Sequence, residues 1–402
     1  MQTPFTPLSP LVAPSPFAAL VQPAQTTPFA LSLSKRSFTQ LGLAASASVW
    51  LGSAHALPAR ALVFPRDHGA HPDFRTEWWY ITGHATSAGG REWGFQVTFF
   101  RARVPPTQGM RSAFAAKQLL FAHTALTDVQ GKKLHHDQRI ARQGFGIAQA
   151  SEHGTDVKLR DWTLKHTPAV PSAPAAQMAE PAMHYQTRIQ ANSFALDLNF
   201  ATTQPLLLQG KQGLSRKGPE AKQASYYYSQ PQMAALGHIT LQGQRLAVSG
   251  TAWLDHEWSD EMLHPEAVGW DWIGINLQDG SALTAFQLRR KDGSALWTGG
   301  LFRATSSSGL QTFIASAGEV AFQALRGWTS PLTRAKYPVE WLVRTPGDYY
   351  TVKAVIDNQE LDSRQTTGAV YWEGLCNVFD SNNKPVGRGY LEMTGYAGPL
   401  RV

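Results

Sequence analysis

Short runs in which apolar and polar residues alternate recur along most of the chain, separated by glycine, proline and polar turns. In residues 93–103 (WGFQVTFFRAR), for example, Phe95, Val97 and Phe99 fall on one side of an extended chain. A side-chain period of two is that of a β-strand, and no window of a dozen residues shows the helical period of about 3.6. Many short, regularly spaced strands predict a β-sandwich or β-barrel. We therefore expect an all-β protein.

Two parts of the chain resemble each other. Residues 77–83 (EWWYITG) are followed by a strand-like run at 94–103, and residues 269–275 (GWDWIGI) are followed by a similar run at 283–290. In each case an aromatic strand turns through glycine into a strand that ends in arginines. This echo predicts two related antiparallel β-barrels in tandem, and chance similarity between hairpins is the alternative.

The expected division of the chain follows from this repeat and from its turn-rich segments. We place an N-terminal barrel at 57–232 and a C-terminal barrel at 233–402, with an interdomain linker near 204–230. Residues 1–56 precede both barrels. Their composition sets them apart from the rest of the chain.

The segment before the first barrel has the order of an export signal. Residues 1–34 carry no charged side chain and are rich in Pro, Ala, Ser and Thr, which predicts a disordered leader. The pair Lys35-Arg36 then precedes an uncharged run at 41–52 and small residues ending at Ala56, the features of a cleaved signal peptide. Its Ser-Lys-Arg-x-Phe order resembles a twin-arginine signal. We expect export to the periplasm or secretion, with no transmembrane segment in the mature chain, because the run is shorter than the roughly 20 residues that span a membrane.

Composition excludes several classes of function. The net charge is +7, but the basic residues are scattered, so we expect no nucleic-acid surface. A single cysteine, Cys376, rules out an intrachain disulfide and a CxxC-type zinc site. The chain contains no HExxH motif and no Gly-x-Ser-x-Gly elbow. We therefore expect neither a metal, nor a cofactor, nor a serine nucleophile.

Residues 250–276 concentrate aromatic and acidic side chains. The segment holds four of the thirteen tryptophans and six acids. On a strand Asp255 and Glu257 share one face, whereas His256 and Trp258 share the other. A pocket that holds an apolar ligand and offers it a proton would need this mixture of indoles and carboxyls.

A carboxylic acid buried among indoles can keep its proton near neutral pH, because burial raises its pKa. Asp255 or Asp271 could then protonate a carbon–carbon double bond, and His256 could hold the attacking water. Indole faces stabilise a carbocation, and those nearby belong to Trp258, Trp270 and Trp272. Buried Asp–His pairs and tryptophans also serve purely structural or ligand-binding roles, and the sequence leaves both interpretations open.

Aromatic residues and acids also occur together in several other predicted strands. We expect them to line one ligand pocket with the central segment. The predicted ligand-binding residues are Glu77, Trp78, Trp79, Tyr80, Tyr226, Tyr227, Tyr228, Trp253, Glu257, Trp270, Trp272, Trp372, Glu373, Glu392 and Tyr396.

Seven motifs are long and rich in tryptophan, tyrosine and glycine: HPDFRTEWWYITGH, GFQVTFFR, GLSRKGP, YYYS, SGTAWLDHEWS, GWDWIGINLQDG and GYLEMTGYAG. They resemble the AttH-like/carotenoid 1,2-hydratase (hydroxyneurosporene synthase) family of secreted lipocalin-like proteins. The resemblance covers residues 62–396. It implies two lipocalin-like (calycin-type) β-barrels packed together, with an apolar ligand site near their junction.

The same resemblance implies a set of site residues. A His-x-Trp pair and a nearby aspartate match His256, Trp258 and Asp271, while Gly269 stands where many such hydratases have tyrosine. The implied function is binding of a hydrophobic lipid or isoprenoid, with carotenoid 1,2-hydratase-like addition of water to a C=C bond. The alternative is a non-catalytic lipid carrier or envelope accessory protein that works with envelope transport machinery.

Overall fold

The computed structural model describes residues 56–168, 183–261 and 263–400. The leader and export signal predicted before Ala56 lie outside these residues. The described chain forms two antiparallel β-sheets and two short 3-10 helices, Arg66–His68 and Pro105–Thr107. Neither helix, nor any other within the described ranges, has the length and apolar character needed to cross a membrane.

The first sheet contains thirteen strands. Their bounds are β1 (Thr76–Ser87), β2 (Glu92–Arg103), β3 (Gln118–Asp128), β4 (Lys133–Arg142), β5 (Ala148–Ala150), β6 (Asp156–Leu159), β7 (Trp162–Pro168), β8 (Met183–Gln190), β9 (Phe194–Ala201), β10 (Leu207–Leu208), β11 (Leu214–Arg216), β12 (Ala224–Leu241) and β13 (Gln244–Glu261). They lie in the order β4-β3-β2-β1-β13-β12-β9-β8-β7-β6-β5, and β10 and β11 pair with β12.

The second sheet contains ten strands. Their bounds are β14 (Ala267–Leu277), β15 (Ala282–Arg290), β16 (Ala295–Ser306), β17 (Gly309–Ala315), β18 (Ala321–Thr329), β19 (Lys336–Arg344), β20 (Tyr349–Ala354), β21 (Glu360–Ser363), β22 (Ala369–Phe379) and β23 (Pro385–Met393). They lie in the order β17-β16-β15-β14-β23-β22-β20-β19-β18, and β21 pairs with β22.

The edge strands of each sheet are consecutive in sequence. Residues 143–147 join β4 to β5, and residues 316–320 join β17 to β18. Because an extended residue spans at most about 3.6 Å, so short a connection requires each sheet to curve back on itself. The predicted all-β fold with two lipocalin-like antiparallel sheets is confirmed.

The two sheets repeat one strand order. β14–β17 occupy the places of β1–β4, and β23 and β22 occupy those of β13 and β12. The registers agree, since Trp79 pairs with Phe99 on β2 and Asp271 pairs with Gln287 on β15. The two segments that resemble each other in sequence therefore form equivalent hairpins.

The chain passes from one sheet to the other between Glu261 and Ala267. Residues 233–261, which we expected in the second barrel, belong to the first sheet, and this corrects the boundary expected at 232. The reason is that β13 turns back tightly from β12 at Gln242 and Gly243, both with positive φ. It then pairs with β1 along the whole length of that strand.

Part of the predicted linker, residues 204–218, forms a crossing segment that touches both sheets. It carries β10 and β11, which pair with β12. It also reaches the second sheet, where Arg303 Nη1 donates to Pro205 O (2.7 Å) and Trp297 Nε1 donates to Arg216 O (3.1 Å). The segment thus fastens the two sheets together, although the chain continues from it into the first sheet.

Two hydrophobic clusters fill the interiors of the two sheets, and a third lies between the sheets. The interior of the first sheet contains Trp79, Leu254 and Trp258, whereas that of the second contains Ile273 and Trp372. A third cluster takes residues from both sheets, namely Tyr80, Leu207, Trp253, Trp272, Phe286 and Tyr390. The faces that the sheets turn toward each other are therefore aromatic.

Candidate functional site

A cavity of about 570 Å³ lies between the two sheets, within the size range of small-molecule sites. Its aromatic wall comes from equivalent strands. The first sheet contributes Trp78, Tyr80, Phe100, Phe121 and Tyr227, and the second contributes Trp270, Trp272, Phe286 and Tyr371. The alternation of β-strand side chains explains the choice, because every second residue of β1 and β14 points toward the other sheet.

Besides Glu77, whose carboxylate is hydrogen-bonded inside the first sheet, four acids line this apolar cavity. Asp255 and Glu257 come from β13, Glu373 from β22 and Glu392 from β23. Asp255 pairs with Tyr80 in the register of the first sheet, and Glu392 pairs with Trp272 in that of the second. Asp255 and Glu392 are therefore equivalent positions of the two sheets, and both face the cavity.

Glu257 is neutralised by a buried cation. Lys217 Nζ lies 2.9 Å from Glu257 Oε1, and Ser225 Oγ donates to the same oxygen at 2.5 Å. The ammonium also lies over the rings of Tyr227 and Phe286, 4.7 and 4.5 Å from their centroids. Lys217 belongs to the crossing segment, so this segment supplies a charge to the cavity wall.

Asp255 makes only neutral hydrogen bonds. Ser229 Oγ and Trp253 Nε1 donate to Asp255 Oδ1, at 2.5 and 2.7 Å. Burial raises the pKa of Asp255 to about 7, and these hydrogen bonds only partly oppose it. The carboxyl is therefore poised between its acid and base forms near neutral pH.

Glu373 and Glu392 form a carboxyl pair on the opposite wall. They are directly opposite each other in the β22–β23 register. Burial raises the pKa of Glu392 to about 7, and burial together with the charge of Glu392 raises that of Glu373 well above its usual range. The hydroxyl of Tyr80 lies close enough to Glu373 to oppose part of the rise in its pKa, but neither that hydroxyl nor Glu373 Oε1 makes a hydrogen bond of normal geometry among the described residues. The wall thus offers a ligand one acceptor and one hydroxyl.

The other face of β13 carries a closed polar network inside the first sheet. His256 Nε2 lies 2.9 Å from Glu77 Oε1, and His256 Nδ1 lies 3.1 Å from the Tyr228 hydroxyl. Arg101 Nε donates to Glu77 Oε2 at 2.7 Å, and His71 Nδ1 lies 2.7 Å from Glu77 Oε1. Burial lowers the pKa of His256 to about 4. Burial opposes ionisation of Glu77, but hydrogen bonds from His256 and His71 outweigh it and lower its pKa.

His71, Glu77 and His256 are also of the residue types that bind metal ions, and their nearest ligand atoms lie within 4.8 Å of one another. In this structure those atoms hydrogen-bond to one another. The far nitrogen of His71 lies 3.0 Å from Asp67 Oδ1, and its ring stacks on Trp258 with centroids 3.8 Å apart. These hydrogen bonds account for the positions of the three side chains, so we interpret the group as a hydrogen-bonded network.

Asp271 lies inside the second sheet. Gln287 Nε2 and the Tyr396 hydroxyl donate to its carboxyl, at 2.7 and 3.0 Å, and Arg289 Nε is 2.8 Å away. Burial raises the pKa of Asp271. The expected pairing of His256 with Asp271 is therefore wrong, because the two side chains point into the separate interiors of different sheets.

The backbone around Gly269 leaves no room for a side chain. A Cβ atom at this position would lie 2.3 Å from the carbonyl oxygen of Thr394. A tyrosine could not stand here without moving the backbone.

The structure divides the predicted site residues between cavity and interior. Those at the cavity are Glu77, Trp78, Tyr80, Tyr227, Asp255, Glu257, Trp270, Trp272, Glu373 and Glu392. Trp253 lies in the aromatic cluster between the sheets. Those in the two interiors, or packed against them, are Trp79, Tyr226, Tyr228, His256, Trp258, Asp271, Trp372 and Tyr396.

Sequence reasoning missed several wall residues. Phe100, Phe121 and Phe286 could have been found from strand alternation on β2, β3 and β15, once those strands were paired with β1 and β14. His123 lies two residues after Phe121 on β3 and shares its face, whereas Lys217 gave no such signal, because it reaches the cavity through contacts distant in sequence.

Comparisons with known proteins agree with this architecture. A candidate AttH protein from Nitrosomonas europaea is 46% identical, with 85% of this chain and 99% of that chain covered and a TM-score of 0.74. Kievitone hydratase from Nectria haematococca is 13% identical, with 84% and 94% covered and a TM-score of 0.62, which shows a shared fold alone. No curated protein sequence matches the chain. The model of the AttH-like family matches residues 55–396, and the chain belongs to this family.

Proposed function

We propose that the protein binds a hydrophobic small molecule, a lipid or isoprenoid, in the cavity between the sheets and adds water to one of its C=C bonds. The observation that carries this proposal is the convergence of Asp255 and Glu392 on one aromatic cavity. Neither carboxyl has an ion-pair partner among the described residues. A hydro-lyase needs an acid and a base of this kind beside an apolar substrate.

In the proposed reaction one carboxyl acts as the acid and the other, as a carboxylate, acts as the base. A protonated carboxyl gives its proton to an alkene carbon, and the π electrons of the alkene form the new C–H bond. The resulting carbocation is stabilised by the faces of Trp270, Trp272 and Tyr80, each worth roughly 0.5–2 kcal/mol. Water then attacks the cation and loses a proton to the second carboxylate. Acid and base work best with pKa values near the working pH, as Asp255 and Glu392 have.

A second function, a non-catalytic carrier of lipid or isoprenoid, draws on the same cavity. Its aromatic wall would hold such a ligand without any proton transfer. In either role we place the protein in the periplasm or outside the cell, because of the signal predicted before Ala56. A carrier would also need a partner in the envelope transport machinery.

One experiment separates the two functions. Purified protein is incubated with hydrophobic alkenes, isoprenoids and carotenoids included, in water enriched in ¹⁸O, and products are followed by mass spectrometry. The proposal expects an alcohol that carries one labelled oxygen. Native mass spectrometry of protein isolated from its own host identifies a retained ligand. A retained lipid with no labelled product from any alkene, the co-purified one included, would establish the carrier instead.

A further inference from the structure

We infer that the cavity also binds hydrophobic organic cations, with a protonated tertiary amine on an apolar skeleton as the best-fitting class. This inference concerns the same cavity as the proposed hydration, but it needs no reaction. It stands on three features of the wall: aromatic faces, carboxyls without cationic partners and one orphaned acceptor.

The aromatic faces make a cage suited to a positive charge. Tyr80 and Trp272 pack edge to face with ring centroids 5.5 Å apart, and Trp253 meets Trp272 at 6.5 Å. Trp78 and Trp270 extend the same wall. Aromatic faces attract ammonium groups most strongly where water is excluded, and such cages recognise methylated amines in other proteins.

Three carboxyls supply the opposite charge. Asp255 and Glu373 are buried, Glu392 is half-buried, and the three lie close enough for charge on each wall to affect the other. Glu373 Oε1 is an acceptor without a donor among the described residues. The N–H of a protonated tertiary amine would satisfy this oxygen, whereas a quaternary ammonium has no hydrogen to donate. The geometry therefore favours the amine with one N–H.

Two cations of the wall are already paired. Lys217 is paired with Glu257, and Arg101 is held by Glu77 and Gln118. The charged and titratable groups that line the cavity from all packed elements are Arg75, Glu77, Tyr80, Arg101, Arg103, His123, Lys217, Tyr227, Asp255, Glu257, Tyr371, Glu373 and Glu392. Of these groups, the carboxyls of Asp255, Glu373 and Glu392 are those whose negative charge a cationic ligand would balance.

This recognition follows from the proposed chemistry as well. The hydration transition state carries positive charge on an apolar skeleton, and a stable ammonium copies that charge. Ligands that copy a transition state bind more tightly than substrates do. Binding of the amine rests on the wall alone, however, so it can be measured whether or not the protein turns over an alkene.

The test compares an N,N-dimethylalkylamine with the isosteric branched alkane, using tryptophan fluorescence and calorimetry at pH 6 and pH 8. An alkylamine with a pKa of about 10 stays protonated at both values. We expect the amine to bind at least about tenfold more tightly at pH 8 than at pH 6, because Asp255 and Glu392 ionise in that window. The alkane should bind equally at both.

Variants identify the charges. Glu373→Gln and Glu392→Gln should each weaken amine binding about tenfold and leave the alkane unchanged. Glu266→Gln, at an exposed residue paired with Arg290, is the matched control. Equal binding of amine and alkane at both pH values would overturn the inference and leave the hydration proposal standing. If neither ligand binds, both are overturned. Amine binding without hydration of any alkene supports the inference alone.

Discussion

The interior of the first sheet and the cavity between the sheets both enclose carboxyls, but in opposite electrostatic states. Glu77, in the interior, contacts Arg101 and two histidines, and its pKa is lowered. Glu392, in the cavity, has no such partner, and its pKa rises to about 7. The hydrogen-bond donors around the carboxyl, rather than burial alone, decide which carboxyl stays ionised. Structure-building and proton-handling acids can be told apart on this basis.

Strand β13 carries both states on its two faces. On one face His256 is hydrogen-bonded within the interior network and Trp258 stacks on His71, whereas on the other face Asp255 and Glu257 line the cavity. Residues adjacent in sequence thus belong to different environments. A motif such as DHEW should therefore be divided by face before roles are assigned to its members.

The largest expected effect is on activity, and it distinguishes the cavity from the interior of the first sheet. Glu392→Gln should lower the initial rate of alkene hydration by about 10²–10⁴-fold, since it removes an acid–base group. His256→Gln, in a folded protein, should change the rate far less. Rates are measured with the alkene found by ¹⁸O labelling, with circular dichroism to check folding. A larger loss in the His256 variant would contradict the assignment.

Stability should show the reverse order. Glu77→Gln leaves Arg101 buried without its counter-charge and should lower the free energy of unfolding by about 3–5 kcal/mol. Glu392→Gln, at pH 8, should not lower it, because the variant avoids a buried unpaired charge. Urea denaturation at fixed pH measures both. Equal losses would show that the two sites are built alike.

The pH dependence follows from the direction of the pKa shifts. Asp255 and Glu392 have pKa values raised to about 7 on folding, so the folded state binds more protons than the unfolded chain above about pH 4. Their contribution should be complete below that pH and lost as pH rises toward 8, by up to about 1.4 kcal/mol per pH unit for each group. Glu77, with its lowered pKa, acts in the opposite sense, and its contribution is lost in acid.

Thermal or urea unfolding across pH 4–8 measures this slope. The double variant Asp255→Asn/Glu392→Gln should reduce the slope, and Glu373 and Asp271, whose pKa values are also raised, account for what remains. A slope unchanged by both substitutions would assign the titration to other groups.

The smallest effect compares two tyrosines. The Tyr228 hydroxyl lies 2.8 Å from His68 Nδ1 and 3.1 Å from His256 Nδ1, so Tyr228→Phe should cost about 1–2 kcal/mol of unfolding free energy. The Tyr80 hydroxyl has no hydrogen-bond partner in the described chain, so Tyr80→Phe should cost less than about 0.5 kcal/mol. Equal costs would mean that Tyr80 has a partner in solution.

The fold could be predicted because alternation and turns are local signals. The runs around Phe95–Phe99 and Glu77–Gly83 form strands as expected, and the three tyrosines at 226–228 divide between two faces. The repeat also located equivalent hairpins. The family resemblance added the relation between the two halves.

The site could be predicted only in part, because its assembly depends on which sheet each strand joins. Nothing near His256 or Asp271 in sequence shows that they point into separate interiors. Lys217 reaches Glu257 through a segment that is mostly irregular, so no period reveals the contact. The boundary was misplaced for the same reason, since the pairing of β13 with β1 joins residues far apart in the chain.

The crossing segment at 204–218 makes it difficult to express the two halves of the protein separately. A fragment ending at Glu261 keeps that segment but loses its contacts to Trp297 and Arg303. It would also uncover Tyr80 and Trp253, an apolar patch of the kind that promotes aggregation. The two halves share one strand order, yet we expect that neither can be expressed, swapped or fused without the other.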